Sequence, residues 1–145
     1  MSGDPSADPR VAADGVDPGV DAVDADGYEV GDIDEVVRFD VVEHGEGARV
    51  LRVVGEVDTL TAPVLRTRLD EHLAEVELLV LDLTDVTFLG SAGLAVLVAA
   101  RDEADRVGHR LRLVPGSRIV VRALEATGLL TLFDLADTAA DALAR

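Results

Sequence analysis

The sequence predicts an α/β domain: a mixed, mostly parallel sheet of about four to five strands with about four helices. Three observations carry this. Val- and Leu-rich runs alternate with runs of helical period, the pattern of strands joined by crossover helices. Gly, Pro and Ser/Thr turn signals separate the runs. The 145 residues are 48% hydrophobic but only 3% aromatic, enough for one ordinary domain with an aliphatic core.

The elements follow from residue 36 onward. Val37–Glu43 and Ala48–Val54 flank His44-Gly45-Glu46-Gly47, a hairpin signal. Gly55 is expected to end the second strand, with Glu56-Val57-Asp58-Thr59 as a loop. A helix follows, with Thr61 as cap and Pro63 in the first turn, where a missing N–H costs little. Leu65, Leu69, Leu73 and Val76 make its buried stripe. Leu78–Leu83 reads as a strand covered on both faces, and Thr84–Leu89 as a crossing segment. A second helix spans about Ser91 to Val107 and stops at Gly108. Its half from Leu94 to Ala100 is apolar all round, so it is buried or faces a partner. His109–Val114 alternates Arg110 and Arg112 with Leu111 and Leu113, as a half-buried strand does. After Pro115-Gly116, a third helix runs from Ile119 to Ala126. Leu130–Leu135 is a short last strand, and Asp137 or Thr138 caps a final helix through Ala144.

Charge divides the chain. It has 13 basic residues, all Arg, against 29 acids, for a net charge of −16. Residues 1–35 hold 11 of the acids and one Arg, for −10; residues 36–145 carry −6. The first 35 residues lack helix or strand period and bury too little apolar surface to offset chain entropy, so they are expected to be a disordered acidic extension. Asp24, Asp26 and Gly27 resemble a fragment of a calcium loop. Ala22 and Ile33 would fall on its first and twelfth ligand positions, which argues against it.

The composition excludes several function classes. Without Cys there is no disulfide framework, thiolate metal site or thiol nucleophile. So acidic a chain is not expected to bind nucleic acid or an anionic membrane. The polar start lacks the pattern of a signal peptide, and the apolar run Phe88–Ala100 is too short to span a bilayer. A cytoplasmic protein is the expectation. His44, His72 and His109 have no metal-ligand spacing and read as turn or surface residues. Gly90-Ser91-Ala92-Gly93 is not a nucleophile elbow, and no phosphate-binding Gly-rich loop occurs. No enzymatic activity and no cofactor are expected.

One constellation stands out: Ser91 between Gly90 and Ala92-Gly93, at the start of the apolar helix. Its structural reading is an N-cap in a tight strand-to-helix turn. Its functional reading is an exposed phosphorylation site, because unpaired N–H groups at a helix start accommodate phosphate. On physics alone the cap reading leads.

Four segments in order carry a family resemblance. They are Gly55-Glu56-Val57-Asp58, then Thr61-Ala62-Pro63-Val64-Leu65, then Leu81-Asp82-Leu83 leading to Phe88-Leu89-Gly90-Ser91-Ala92-Gly93-Leu94, then Ser117–Leu129. Together they resemble the STAS domain family over residues 36–145, nearest to the bacterial anti-sigma factor antagonists. The resemblance implies a partner-switching regulator. The unphosphorylated form captures an anti-sigma factor that is itself a serine kinase, and so frees sigma. Phosphorylation at Ser91 blocks capture, and a PP2C-type phosphatase resets the switch. The implied partner-binding residues are Asp58, Thr59, Gly90, Ser91, Ala92, Gly93 and Leu94, in a chain that is a monomer when free. Gly90 stands where the family usually has Asp, and Arg118 where Pro is common. The alternative is a constitutive STAS adaptor, in a lipid-transport or stressosome-like assembly, with Ser91 only a cap.

Overall fold

The computed structural model describes residues 37–144; the acidic extension expected over residues 1–35 lies outside them. The described chain opens with β1 (Val37–His44) and β2 (Ala48–Val57). They form the expected antiparallel hairpin, His44 opposite Ala48 and Val37 opposite Gly55. Gly55 does not end the second strand. It takes φ +119°, and the register with the next strand shifts beside it. A glycine tolerates this backbone, so the chain passes through an irregularity and continues to Val57. Thr87 Oγ1 donates to the Gly55 carbonyl at 3.3 Å and holds the two strands together there.

Helix α1 (Ala62–Glu75) buries Leu65, Leu69 and Leu73 as their spacing predicts, and Val76 is buried just beyond it. Strand β3 (Leu78–Leu89) is longer than the sequence suggests: Thr84–Leu89 continues the strand. The reason is that β2 pairs with it along its whole length, through two register shifts that disturb the alternation of side chains. Helix α2 (Ser91–Val107) ends at Gly108, in the left-handed region at φ +78°. Strand β4 (Arg110–Val114) leads to α3 (Arg118–Ala126), capped by Ser117 Oγ, which accepts the Val120 N–H at 3.3 Å. The strand expected over Leu130–Leu135 is instead one 3₁₀ turn, Leu130–Leu132, and a two-residue strand, β5 (Asp134–Leu135). Helix α4 (Ala139–Ala144) closes the described chain. Thr138 is its cap, its Oγ1 accepting the Asp141 N–H at 3.0 Å.

The sheet order is β1-β2-β3-β4-β5, antiparallel at the first pair and parallel at the other three. Both faces are covered. Leu79, Leu81 and Leu83 are fully buried, and so is Val80 between them. Leu78 and Val80 cluster with Val50, Val114, Ala136 and Ala142, so α4 lies on that face. Helices α1 and α2 pack together, and α3 packs along β3. Arg112 is therefore not the solvent-facing residue that its alternation suggests. It is 7% exposed. Its Nε donates to Asp134 Oδ2 at 2.7 Å and its Nη1 to the Ala142 carbonyl at 2.6 Å. Once α4 covers the face, a buried guanidinium has to be paired.

Candidate functional site

The parallel register sets Val57 beside Leu89, so β2 and β3 end together. The Asp58–Thr61 loop leaves one strand and the Gly90-Ser91 turn the other. The Gly90 N–H donates to the Val57 carbonyl at 3.0 Å and ties the two exits. The segments that the sequence singles out therefore meet at the carboxyl ends of two neighbouring parallel strands, a common position for functional sites in open α/β sheets.

The Asp58 loop is held by its own polar groups. Asp58 Oδ1 accepts the N–H groups of Leu60 and Thr61, both at 3.0 Å. The Thr61 hydroxyl is fully buried; it accepts from Asp58 N–H and donates to the Glu56 carbonyl, both at 2.9 Å. Thr61 occupies the N-cap position of α1, but its side chain makes no cap hydrogen bond. The carboxylate of Asp58 holds the loop before the helix, and the Val64 N–H is taken by the Thr61 carbonyl at 3.1 Å. The Thr61 N–H bond, first among its contacts, holds the Asp58 carboxyl below the usual carboxylate range, so it stays ionised.

Ser91 is exposed and is the first residue of α2, one position past the cap. The cap position belongs to Gly90, in extended backbone at φ −91° and ψ −178°. The N-cap reading of Ser91 is thus overturned. Displaced to the first helical position, its hydroxyl makes no hydrogen bond to another described residue. The first backbone N–H groups of α2 lack intrahelical acceptors, and this end of the helix carries partial positive charge. A phosphate ester on Ser91 would sit where those groups favour it.

The remaining motif residues divide by depth. Thr59 is exposed and Ala92 half-buried, whereas Gly93 and Leu94 are buried. A Cβ on Gly93 would lie 2.7 Å from both Leu89 Cδ1 and Val57 Cγ1. Gly93 is there so that α2 can approach the sheet, and Leu94 anchors the same turn. Both shape the surface from beneath.

Two surface residues escaped the sequence reading. Leu60 is 60% exposed and Phe88 is 49% exposed, one on each side of the tied exits. The Phe88 ring lies beside Gly90, 3.1 Å from where a Cβ would stand. The register shift before Phe88 hides its orientation from any alternation argument. An apolar residue between two threonines in a loop was the only signal for Leu60.

His44 is exposed at the hairpin end as expected, but His72 and His109 are not simple surface residues. His72 Nδ1 accepts from Arg49 Nη1 at 2.8 Å, and burial followed by the Arg49 charge lowers its pKa. His109 Nδ1 donates to the Leu73 carbonyl at 2.6 Å. No group of three or more His, Cys, Asp or Glu among the described residues is arranged to hold a metal. No described helix is long and apolar enough to cross a membrane.

Comparison with known proteins finds similar chains. The model of the STAS domain matches residues 40–142. The anti-sigma-F factor antagonist RsfB of Mycobacterium tuberculosis is 35% identical over 110 residues, covering 74% of this chain and 87% of that protein. The anti-sigma-B factor antagonist of Bacillus subtilis is 31% identical over 94 residues, covering 65% of this chain and 86% of that protein. The crystal structure of an anti-sigma factor antagonist from Mycobacterium paratuberculosis superposes with a TM-score of 0.65 at 33% identity, covering 76% of this chain and 93% of the other.

Proposed function

This chain belongs to the STAS domain family, and from that premise we propose that it is an anti-sigma factor antagonist that works by partner switching. In its unphosphorylated form it binds an anti-sigma factor with serine kinase activity and releases sigma. Phosphorylation of Ser91 ends the binding, and a PP2C-type phosphatase restores it. The protein acts in the cytoplasm, free as a monomer and without a cofactor. The observation that carries the reading is the unbonded, exposed Ser91 hydroxyl at the first position of α2.

The partner-facing surface comprises Asp58, Thr59, Gly90, Ser91 and Ala92, with Leu60 and Phe88 as its apolar part; Gly93 and Leu94 set its shape. The physics of the switch is local. A phosphate adds a charge of about −1.5 to −2. The helix N-terminus accepts that charge, so the fold survives modification. A partner seated on Leu60 and Phe88 would have to desolvate it, at a cost of several kcal/mol where like charges face each other.

Calorimetric titration of the anti-sigma factor with Ser91→Ala and Ser91→Asp tests the reading. Ser91→Ala should bind as the unmodified chain does, and Ser91→Asp should bind at least about tenfold more weakly. Incubation with the kinase and ATP should add one phosphate to the wild type and none to Ser91→Ala. Equal binding by both variants would leave Ser91 as a structural residue in a constitutive adaptor.

A further inference from the structure

Most of the described arginines of this acidic chain are engaged. From Arg38 to Arg112, every one except Arg110 sits against a carboxylate or, for Arg68, over the Phe39 ring. Arg118 and Arg122 are different. Both are exposed, and neither makes an ion pair or hydrogen bond among the described residues. They lie one turn apart on α3, an arrangement that costs a helix a few tenths of a kcal/mol through like-charge repulsion. Helix stability therefore does not explain them.

Both line one cavity of ≈ 660 Å³, bounded by the Pro115–Ser117 turn, α3 and Ala136-Asp137. The turn is fixed in place. Gly116 is in the left-handed region at φ +67°, and any Cβ there would overlap Thr84 of β3. Ser117 caps the helix immediately before Arg118. The groove thus opens at the carboxyl end of β4, on the side of the sheet where β2 and β3 present Ser91.

We propose that Arg118 and Arg122 form a docking groove for a carboxylate-bearing segment of the partner protein, setting which partner the Ser91 surface engages. This inference rests on the partner-switching reading and specifies the chemistry of the partner. Three observations select a protein segment over a small anion or a nucleic acid. The cavity is open to solvent, whereas small-molecule sites enclose most of their ligand. Its walls also carry Glu125 and Asp137, which repel a lone phosphate but suit a surface of alternating charge. And −6 over residues 36–145 offers no extended basic track.

The test uses the full chain. Arg118→Gln/Arg122→Gln should raise the Kd for the purified anti-sigma factor about five- to tenfold at low salt, the effect of two exposed ion pairs. The difference should shrink at roughly 0.5 M salt, where screening is short-ranged. Glu125→Gln should not weaken binding. An unchanged Kd in the double variant, with an unchanged circular dichroism spectrum, overturns the inference. Ser91→Asp in the same assay reads the switch separately, so either idea can fail alone. Hexaglutamate peptide and sodium pyrophosphate, titrated into isotopically labelled chain, read the groove without any anti-sigma factor. The peptide should shift the amide signals of Gly116–Arg122 and lose that effect in the double variant. Tighter binding of pyrophosphate than of peptide would make this a small-anion site and overturn the inference.

Discussion

Gly93→Ala separates the scaffold of the site from its surface. A helix interior normally gains about 0.5–1 kcal/mol when Gly becomes Ala. Here the added Cβ meets Leu89 Cδ1 and Val57 Cγ1, each at 2.7 Å. Carbon atoms in contact prefer about 3.5–4.0 Å, so roughly 1 Å of overlap must be relieved on two sides. Leu89 can yield through its terminal methyl. Val57 cannot do so readily: it is fully buried, β-branched and held in register beside Leu89. Overpacking of this kind costs about 1–3 kcal/mol. The propensity gain offsets part of it, leaving a net loss of about 0.5–2 kcal/mol. For a domain of this size that is a fall in Tm of a few degrees, up to about 10 °C. Urea and thermal unfolding followed by circular dichroism should show it. Anti-sigma factor binding should weaken too, because α2 must lift away from Val57 and carry Ser91 with it. A variant as stable as the wild type, or more so, would refute the claim that Gly93 is there for close approach.

Three further outcomes follow from the geometry. Asp134→Ala should destabilise by about 2–3 kcal/mol, because it leaves the buried Arg112 guanidinium with only the Ala142 carbonyl of the two partners described; the loss is below the usual 3–5 kcal/mol because Asp134 is itself 46% exposed. Urea midpoints would measure it, and an unchanged midpoint would refute it. His72 has a lowered folded pKa, so its unfolded form takes up the proton first. Its contribution is complete above the unfolded value of about 6.5 and is lost as pH falls below that. The urea midpoint should therefore drop between pH 7.5 and 5.5, and His72→Gln should show a shallower drop; equal slopes would exclude His72 as the cause. Asp58 has the same sign at lower pH, a lowered carboxyl pKa whose contribution is present above about 3.8 and is lost as pH falls through the folded value. Asp58→Ala should lower Tm at pH 7 and converge with the wild type near pH 2; a constant difference down to that pH would show that the ionised carboxylate is not what holds the loop.

The sequence was legible wherever a single period ran undisturbed. The stripe of α1, the all-apolar half of α2 and the hairpin around Gly45 appear where spacing puts them. It failed where a tertiary partner changed the local rule. Thr84–Leu89 carries too little period to show that β2 extends alongside it. Arg112 alternates like a surface residue because α4, which buries it, is made of small residues far along the chain. The site was readable as a set of segments but not in its roles. Thr61 sits at the cap position, but its hydroxyl turns back to the Asp58 N–H and the Glu56 carbonyl and holds the loop instead. Leu60 and Phe88, the apolar part of the surface, carried almost no signal.

The shift of Ser91 by one position from cap to first helical residue has a physical consequence. A serine at the N-cap spends its oxygen on the N–H of the second or third helical residue, and phosphorylating it would break that bond. With Gly90 in the cap position, α2 begins without any side-chain oxygen, and its first turn is held instead by the burial of Gly93 and Leu94 against the ends of β2 and β3. Modification of Ser91 then costs the fold nothing it depends on. The same arrangement sets the Phe88 ring beside Gly90, 3.1 Å from where a Cβ would stand, so any side chain there would press on an exposed aromatic. Gly90 therefore leaves the exposed Phe88 ring as apolar surface beside Ser91.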